Sequence, residues 1–184
     1  PELYKKAKQI VVIDHHRKMT NYIENAVIFH HEPYASSASE MVTELVQYFG
    51  DAGKLSQYGA EALLAGIMLD TKSFVMRTGV RTFEAAAYLR RSGADIIRVR
   101  KALRDDMDSY KARAEAVRHA EIYMGKYAIS ILPGDGLESP TVVGAQAANE
   151  LLNIVGVTAS FVATEYSGKI YISARAIDEV NVQI

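Results

Sequence analysis

The sequence predicts an α/β protein with a mostly parallel sheet flanked by helices, followed by a smaller mixed α/β domain. Two short, continuous apolar runs, residues 9–13 (QIVVI) and 26–29 (AVIF), are typical of buried strands in a parallel sheet. Several helical segments follow them and would cover this sheet. After residue 121 the elements follow a β-α-β-β order, which is typical of a small α/β domain.

The second apolar run is followed by His30 and His31, and then by Glu32 and Pro33. Pro33 disfavours a helical conformation at Glu32, so we expect a polar loop here. A metal-ligand cluster built on the two histidines is the alternative, but no second acid at a useful spacing supports it.

A helix is predicted over residues 38–49, because Ser36 or Ser37 is a suitable N-cap and Glu40 is placed for a capping box. Its buried face is predicted to contain Met41, Leu45 and Tyr48. The N-terminus of this helix, with Ser36 and Ser37, could also bind a substrate phosphate, whereas ordinary capping is the plainer interpretation.

Three further helices are predicted over residues 56–70, 81–91 and 94–103, with a loop over residues 72–79. Gly93 is placed to end the second of these helices as a C′ glycine. Residues 105–120 are charged and strongly helical, and we interpret them as a linker. Residues 1–104 and 121–184 would then form the two domains.

The second domain is predicted from four segments. Residues 122–132 are strand-like, and residues 141–154 have the pattern of an amphipathic helix. Residues 157–165 and 169–173 are predicted to form a hairpin, since the turn between them contains Gly168.

The composition excludes several classes of protein and of site. The chain has 184 residues, a net charge of −1 and no cysteine, so disulfides and thiolate metal sites are excluded. Its lysines and arginines are spread along the chain, which gives no basic footprint for duplex nucleic acid. No apolar run approaches the roughly 18 residues of a membrane span. The sequence is compatible with a cytoplasmic location.

Asp14, His15 and His16 come directly after the first predicted strand. Ligands of an open α/β sheet gather at the carboxyl ends of its strands, and carboxylate with imidazole suits a Mn, Fe or Zn ion. His16 could instead hold a phosphate or move a proton near neutral pH. For an isolated Asp-His-His, a simple turn after the strand is the alternative.

Asp70 ends the apolar segment 56–70 much as Asp14 ends the first strand. A carboxylate at the edge of an apolar element is costly unless it is paired or binds a cation, and a metal would satisfy both acids. The alternative for Asp70 is the N-cap of the following turn. Arg175 ends the last hairpin strand, where its guanidinium could hold a phosphate or be a surface charge.

Taken together, these residues resemble the DHH phosphoesterase superfamily. Residues 10–16 (IVVIDHH) match its naming motif, and residues 64–74 (LAGIMLDTKSF) are similar to its later metal-binding motif. Three further blocks resemble GdpP-type cyclic-di-AMP phosphodiesterases, namely residues 32–49, 77–94 and 139–152. The second half of the chain resembles the DHH-associated substrate-binding domain.

This resemblance implies a fold and a reaction. Residues 1–104 would be the C-terminal part of a DHH domain, and residues 121–184 would be part of a DHH-associated domain. The substrate would be a cyclic dinucleotide, cyclic di-AMP, of which one phosphodiester is hydrolysed to give linear pApA. Two divalent manganese ions would be the cofactor in a complete site.

Roles for individual residues are implied in the same way. His15 would be a metal ligand, and Asp70 would be a ligand shared by the two ions. His16 would contact or polarise the scissile phosphate, and Asp14 would orient His15 from behind. Arg175 matches the Ser-x-Arg of the associated domain, which faces the substrate.

The chain also departs from the family pattern. The family's first metal motif, a His followed by Asp-x-Asp, lies upstream in a complete domain, and its glycine-rich motif is expected soon after Ile184. Neither is present in this sequence. We therefore expect a portion of a longer protein, inactive alone. The resemblance to GdpP-type enzymes further implies a membrane-anchored parent, with this part on the cytoplasmic side. A homodimer is compatible with the sequence.

Two other functions stay open on the sequence. One is another DHH-family activity, that of an oligoribonuclease, a RecJ-like exonuclease or a polyphosphatase; the block over residues 32–49 and the lack of a basic stripe disfavour it. The other is a catalytically silent fragment that serves only as a scaffold. Metal binding separates the scaffold from the enzymes, and substrate choice separates the enzymes from one another.

Overall fold

The computed structural model of the chain describes residues 6–17, 22–177 and 180–182. The chain divides into two compact units, Pro1–Arg104 and Asp105–Ile184. Both combine strands with helices, so the predicted α/β class is confirmed. In the part of the chain that the structure describes, no helix is both long and apolar enough to cross a membrane.

The first unit begins with two paired strands, β1 (Val11–Asp14) and β2 (Ile28–His31). They run parallel, and Asp14 at the end of β1 lies opposite His31 at the end of β2. The prediction that the first strand is fully buried is wrong, because Val11 is 55% exposed and the rest of β1 is half-buried. Among the described residues β1 pairs with β2 alone, so fewer neighbours cover it than in a wider sheet.

The second strand lies two residues later than predicted and contains both His30 and His31. Pairing with β1 decides this position. The amide of Val27 donates to the carbonyl of Ile10 (2.8 Å), and the amide of Glu32 donates to the carbonyl of Asp14 (3.0 Å). The predicted polar loop at His30 and His31 is therefore wrong, because ladder hydrogen bonds to β1 override the polar composition of this segment.

The helices of the first unit are α1 (Ala38–Val46), α2 (Gln57–Asp70), α3 (Val80–Arg91) and α4 (Ile96–Ala102). Helix α1 is shorter than predicted, because a 3-10 segment over Gln47–Gly53 follows it and Gly50 has a left-handed φ of 56°. Met41 is fully buried, whereas Tyr48 lies beyond the helix and is 88% exposed. The prediction that Tyr48 belongs to the buried face is wrong.

The core of the first unit lies between α2, α3 and α4. It consists of Ala60, Leu64, Ile67, Met68, Ala85, Leu89, Ala94 and Val99. Gly93 ends α3 as predicted, with φ of 100° and its amide donating to the carbonyl of Arg90. The amide of Ala94 donates to Leu89, which completes a Schellman motif and turns the chain towards α4.

The second unit contains helices α5 (Met107–Arg118) and α6 (Pro140–Leu151) and strands β3 (Glu121–Tyr123), β4 (Tyr127–Leu132), β5 (Ala159–Tyr166) and β6 (Lys169–Ala176). The strands form one sheet in the order β3-β4-β5-β6. Strands β4 and β5 are parallel across α6, and the other neighbours are antiparallel. A turn at Met124 and Gly125 divides the first predicted strand into β3 and β4.

Helix α5, which we interpreted as a linker, lies within the second unit. Ala116 belongs to its core, together with Leu132 and Leu151. Arg113 on the same helix is 9% exposed in its side chain and bonds to three partners, Asp105, Gln146 and Glu150. We call these four residues the Arg113 cluster. The charged composition of the helix thus conceals a buried face.

Candidate active site

The ends of β1 and α2 bring two of the predicted metal ligands together. His15 Nε2 lies 3.4 Å from Asp70 Oδ2. His15 follows directly on β1, and Asp70 is the last residue of α2. Asp14 and His16 flank His15, and we call Asp14, His15, His16 and Asp70 the strand-end site.

The two predicted metal ligands differ in their surroundings. The His15 side chain is only 9% exposed, whereas that of Asp70 is 45% exposed. The imidazole is therefore held against the protein, and the carboxylate opens to solvent. An acid at this position keeps lone pairs for a second partner besides His15.

Thr71 anchors the chain directly after Asp70. It is fully buried, and its Oγ1 donates to the carbonyl of Ile67 (2.7 Å) and accepts from the amide of Phe74 (2.9 Å). Three consecutive residues then adopt left-handed φ, namely Lys72 (46°), Ser73 (58°) and Phe74 (69°). Such backbone strain in non-glycine residues persists only when its surroundings hold it, and it is concentrated at functional sites.

Asp14 contacts His16. Its Oδ1 accepts from the backbone amide of His16 (3.0 Å) and lies 2.8 Å from His16 Nδ1. The backbone hydrogen bond is the main cause that lowers the pKa of Asp14; the His16 side chain and the charge of His31 add to it, and desolvation opposes it. The resemblance implied that Asp14 orients His15, and the structure corrects this: the carboxylate is turned to the next residue.

The His16 ring is the most open group of the site, with a side chain that is 79% exposed. Its Nδ1 faces a carboxylate oxygen that can only accept, so Nδ1 carries a hydrogen. Nε2 is then the nitrogen that remains for another group. The ring centroid lies 4.6 Å from that of His15, so the two imidazoles share one corner of the unit.

His31 is a site residue that the sequence analysis missed. Its Nε2 lies 2.6 Å from the carbonyl oxygen of His16. His30 points to a different partner, since its Nε2 lies 3.6 Å from Glu32 Oε1. Successive side chains of a strand point to opposite faces of the sheet. Once both histidines are placed in β2, this alternation predicts that only one of them faces the strand-end site.

Ser36 and Ser37 serve as capping residues in the structure. Both are buried; Ser37 Oγ accepts from the amide of Glu40 (3.0 Å), and Ser36 Oγ donates to the Glu40 carboxylate. Their hydroxyls are therefore occupied inside the unit. Capping, the plainer interpretation, thus describes the two side chains, and substrate phosphate binding at the N-terminus of this helix stays a prediction.

Arg175 lies on β6, opposite Ser160 of β5. Its Nη1 donates to the carbonyl of Ala174 at 2.8 Å, and the residue is half-buried. It belongs to the second unit, whereas the strand-end site belongs to the first. Its contact with substrate stays a prediction.

Arg81 organises a separate polar network on the first unit. Its Nε and Nη2 donate to the two carboxylate oxygens of Glu44 (2.7 and 2.6 Å), and its Nη1 donates to Glu32 (2.7 Å). The hydrogen bond from Arg81 lowers the pKa of Glu32, although desolvation opposes the shift. The network borders a cavity of about 770 Å³, which His30 and Tyr48 also line.

The donor set at the strand-end site fits one side of a divalent metal ion. Imidazole nitrogen and carboxylate oxygen both bind Mn, Fe and Zn, and a separation of 3.4 Å allows both atoms to face one ion. Within residues 6–17, 22–177 and 180–182, no group of three or more His, Asp or Glu side chains is arranged as a metal site. The described residues thus supply two ligands, and a full centre needs more.

Comparison with known proteins confirms the resemblance found in the motifs. Residues 1–67 match the family described as DHH family, N-terminal domain. A protein of Geobacillus thermodenitrificans (strain NG80-2) named cyclic-di-AMP phosphodiesterase GdpP is 49% identical over 181 residues, or 97% of this chain. A protein of the same name from Bacillus subtilis (strain 168) is 48% identical over 184 residues.

The chain spans 27% and 28% of the lengths of these two relatives. A solved structure, an exopolyphosphatase-related protein from Bacteroides fragilis, is similar with a TM-score of 0.81 and 22% sequence identity. This likeness covers 96% of the present chain and 53% of the other, and at that identity it speaks for the fold alone.

Proposed function

We propose that this chain carries part of the catalytic centre of a manganese-dependent phosphodiesterase that hydrolyses cyclic di-AMP to linear pApA. The observation that carries the proposal is the contact of His15 with Asp70, two residues far apart in sequence that meet at 3.4 Å. The names of the two relatives, which align over nearly the whole chain, support the substrate.

His15 and Asp70 would hold a manganese ion, together with ligands from elsewhere in the full-length protein. When bound, a pair of such ions lowers the pKa of water and neutralises charge on the phosphate. The half-open setting suits this use, since the buried His15 fixes one side while Asp70 keeps an oxygen towards solvent.

His16 would contact the scissile phosphate or move a proton beside it. Nδ1 is turned to Asp14, so the exposed Nε2 is the atom that can reach a phosphate oxygen. Asp14 has a pKa below its ordinary value and stays ionised near neutral pH, which fixes the orientation of the His16 ring. Arg175 would hold a phosphate oxygen of the nucleotide through its guanidinium.

The proposal extends to the setting of the protein. This part would lie on the cytoplasmic side of a membrane-anchored parent, where the cyclic dinucleotide is the small-molecule partner. A homodimer is part of the same expectation, and size-exclusion chromatography with light scattering tests it.

The test is the release of pApA from cyclic di-AMP by the full-length protein with Mn²⁺, with His15→Ala and Asp70→Ala alongside. Both variants are expected to lose activity by about 1,000-fold or more, since each removes a metal ligand. Circular dichroism checks that both keep their fold. Short RNA and inorganic polyphosphate serve as competing substrates.

An active parent whose two variants keep full turnover would overturn the ligand assignment. A parent that ignores cyclic di-AMP but cleaves short RNA or polyphosphate would overturn the substrate and favour another DHH-family activity. A parent that binds no Mn²⁺ and cleaves none of these substrates would favour the scaffold interpretation.

A further inference from the structure

His31 reaches the strand-end site from the neighbouring strand. It is the last residue of β2 and lies opposite Asp14, the last residue of β1. Its Nε2 lies 2.6 Å from the carbonyl oxygen of His16. Because a carbonyl oxygen only accepts, Nε2 must carry the hydrogen and donate it.

The backbone of His16 is consequently held on both sides of its Cα. Asp14 Oδ1 accepts from the His16 amide at 3.0 Å, and His31 donates to the His16 carbonyl at 2.6 Å. The ring, by contrast, is 79% exposed, and its one hydrogen bond with the described residues is from Nδ1 to Asp14. The position of its free Nε2 therefore depends on how firmly the backbone is fixed.

His31 is itself supported within β2. The ring of Phe29, two residues earlier on the same face of the strand, lies 5.9 Å from the His31 ring. The backbone of His31 is in register with β1, and the next amide, that of Glu32, donates to the carbonyl of Asp14. The donor that holds His16 thus stands on a hydrogen-bonded strand.

We infer that His31 is a positioning residue, which holds the His16 backbone so that the exposed His16 ring meets the scissile phosphate. This inference rests on the proposed function of the strand-end site. The role belongs to His31 and not to the adjacent His30, because His30 is turned to Glu32.

The test compares His31→Leu with His31→Gln in the full-length protein, using cyclic di-AMP hydrolysis with saturating Mn²⁺. Leucine removes the donor, whereas glutamine keeps an N–H at a similar reach. His30→Leu is the matched control, since it also removes an imidazole from β2 but leaves the bond to His16. We expect kcat to fall about 30-fold in His31→Leu with KM within about threefold of the parent, and glutamine to restore most of it.

The outcomes separate this inference from the function on which it rests. A parent that does not hydrolyse cyclic di-AMP overturns the proposed function. An active parent with His31→Leu no slower than His30→Leu overturns the positioning role. Should His31→Leu fail to fold, the folded glutamine variant decides: turnover within about threefold of the parent supports the role, and a fall as large as 30-fold overturns it.

Discussion

The strand-end site and the Arg113 cluster both gather charged side chains, but they differ in how completely those charges are paired. Arg113 is buried, and its guanidinium has Asp105, Gln146 and Glu150 as partners at 2.6–3.1 Å. Burial lowers its pKa, but the hydrogen bond to Asp105 and the nearby negative charges outweigh this and raise the pKa above its ordinary value. The Arg113 guanidinium therefore stabilises the fold rather than binding a ligand.

At the strand-end site the polar atoms are only partly paired. The His16 side chain is 79% exposed and that of Asp70 is 45% exposed, although both stand beside hydrogen-bonded backbone. A hydrogen-bonded backbone thus presents a carboxylate and an imidazole that still have lone pairs available to a ligand. The contrast teaches that incomplete pairing on a fixed support marks the site, whereas charge density alone does not.

The largest expected effect comes from Asp70→Asn, which removes the charge but keeps the size. Hydrolysis by the full-length protein should fall about 1,000-fold, because the amide is a poor ligand for a divalent ion. The free energy of unfolding should change by less than about 0.5 kcal/mol, since the carboxylate is half exposed. Urea unfolding and the hydrolysis assay measure the two quantities; a loss of several kcal/mol would instead make Asp70 a structural residue.

The opposite result is expected for Arg113→Met. Removing one partner of a buried ion pair costs roughly 3–5 kcal/mol, but Asp105 and Glu150 are partly hydrated, so we expect about 2 kcal/mol. Arg118→Met on the same helix is the control, because that side chain is 75% exposed and should cost almost nothing. Equal unfolding curves for the two variants would contradict the assignment of the cluster to stability.

Ser37→Ala sharpens the comparison at the start of α1. Loss of the N-cap should lower the free energy of unfolding by about 1 kcal/mol. KM for cyclic di-AMP should stay unchanged, because the hydroxyl is buried and bonded to the amide of Glu40. A several-fold rise in KM with unchanged stability would instead show that the Ser37 hydroxyl takes part in substrate binding.

The smallest expected effect is the acid response of the Arg81 network. Glu32 has a pKa below its ordinary value of 4.5, chiefly because of its hydrogen bond with Arg81. The stability that it contributes is fully present above pH 4.5 and is lost as the pH falls through the lowered pKa. The Arg81 and Glu32 side chains are 48% and 34% exposed, so solvent screens the ion pair and this contribution should stay below about 1 kcal/mol.

Urea unfolding between pH 3 and 6 measures this response, with Glu32→Gln beside the parent. The variant should have a flatter loss of stability below pH 4.5. Glu84→Gln is the control, since Glu84 lies on the exposed face of α3. An identical pH profile in the parent and Glu32→Gln would contradict the assigned role of the ion pair.

The fold class and the ends of the two decisive elements could be predicted from the sequence. An apolar run that stops at Asp14 and an apolar helix that stops at Asp70 place both acids at element ends. Their meeting could not be derived from periodicity, because it depends on packing between distant segments; only the family resemblance implied it. The contact between Asp14 and His16 likewise depends on the backbone direction after β1.

The errors have a shared physical cause in long-range contacts. The polarity of His30 and His31 predicts a loop, because a local pattern does not reveal that this segment pairs with β1. Arg113 read as part of a charged linker because its partners Gln146 and Glu150 lie on another helix. Burial of a polar residue is visible in a sequence only after its partner is known.

Manganese binding tests the contrast most directly. Binding of Mn²⁺ to the full-length protein can be followed by electron paramagnetic resonance of the free ion, for the parent, His15→Ala, Asp70→Ala and Arg113→Met. Our account predicts that the affinity falls at least tenfold in the first two variants and is unchanged in folded Arg113→Met. Equal affinity in the parent, His15→Ala and Asp70→Ala would contradict it, because the strand-end site would then hold no metal ion.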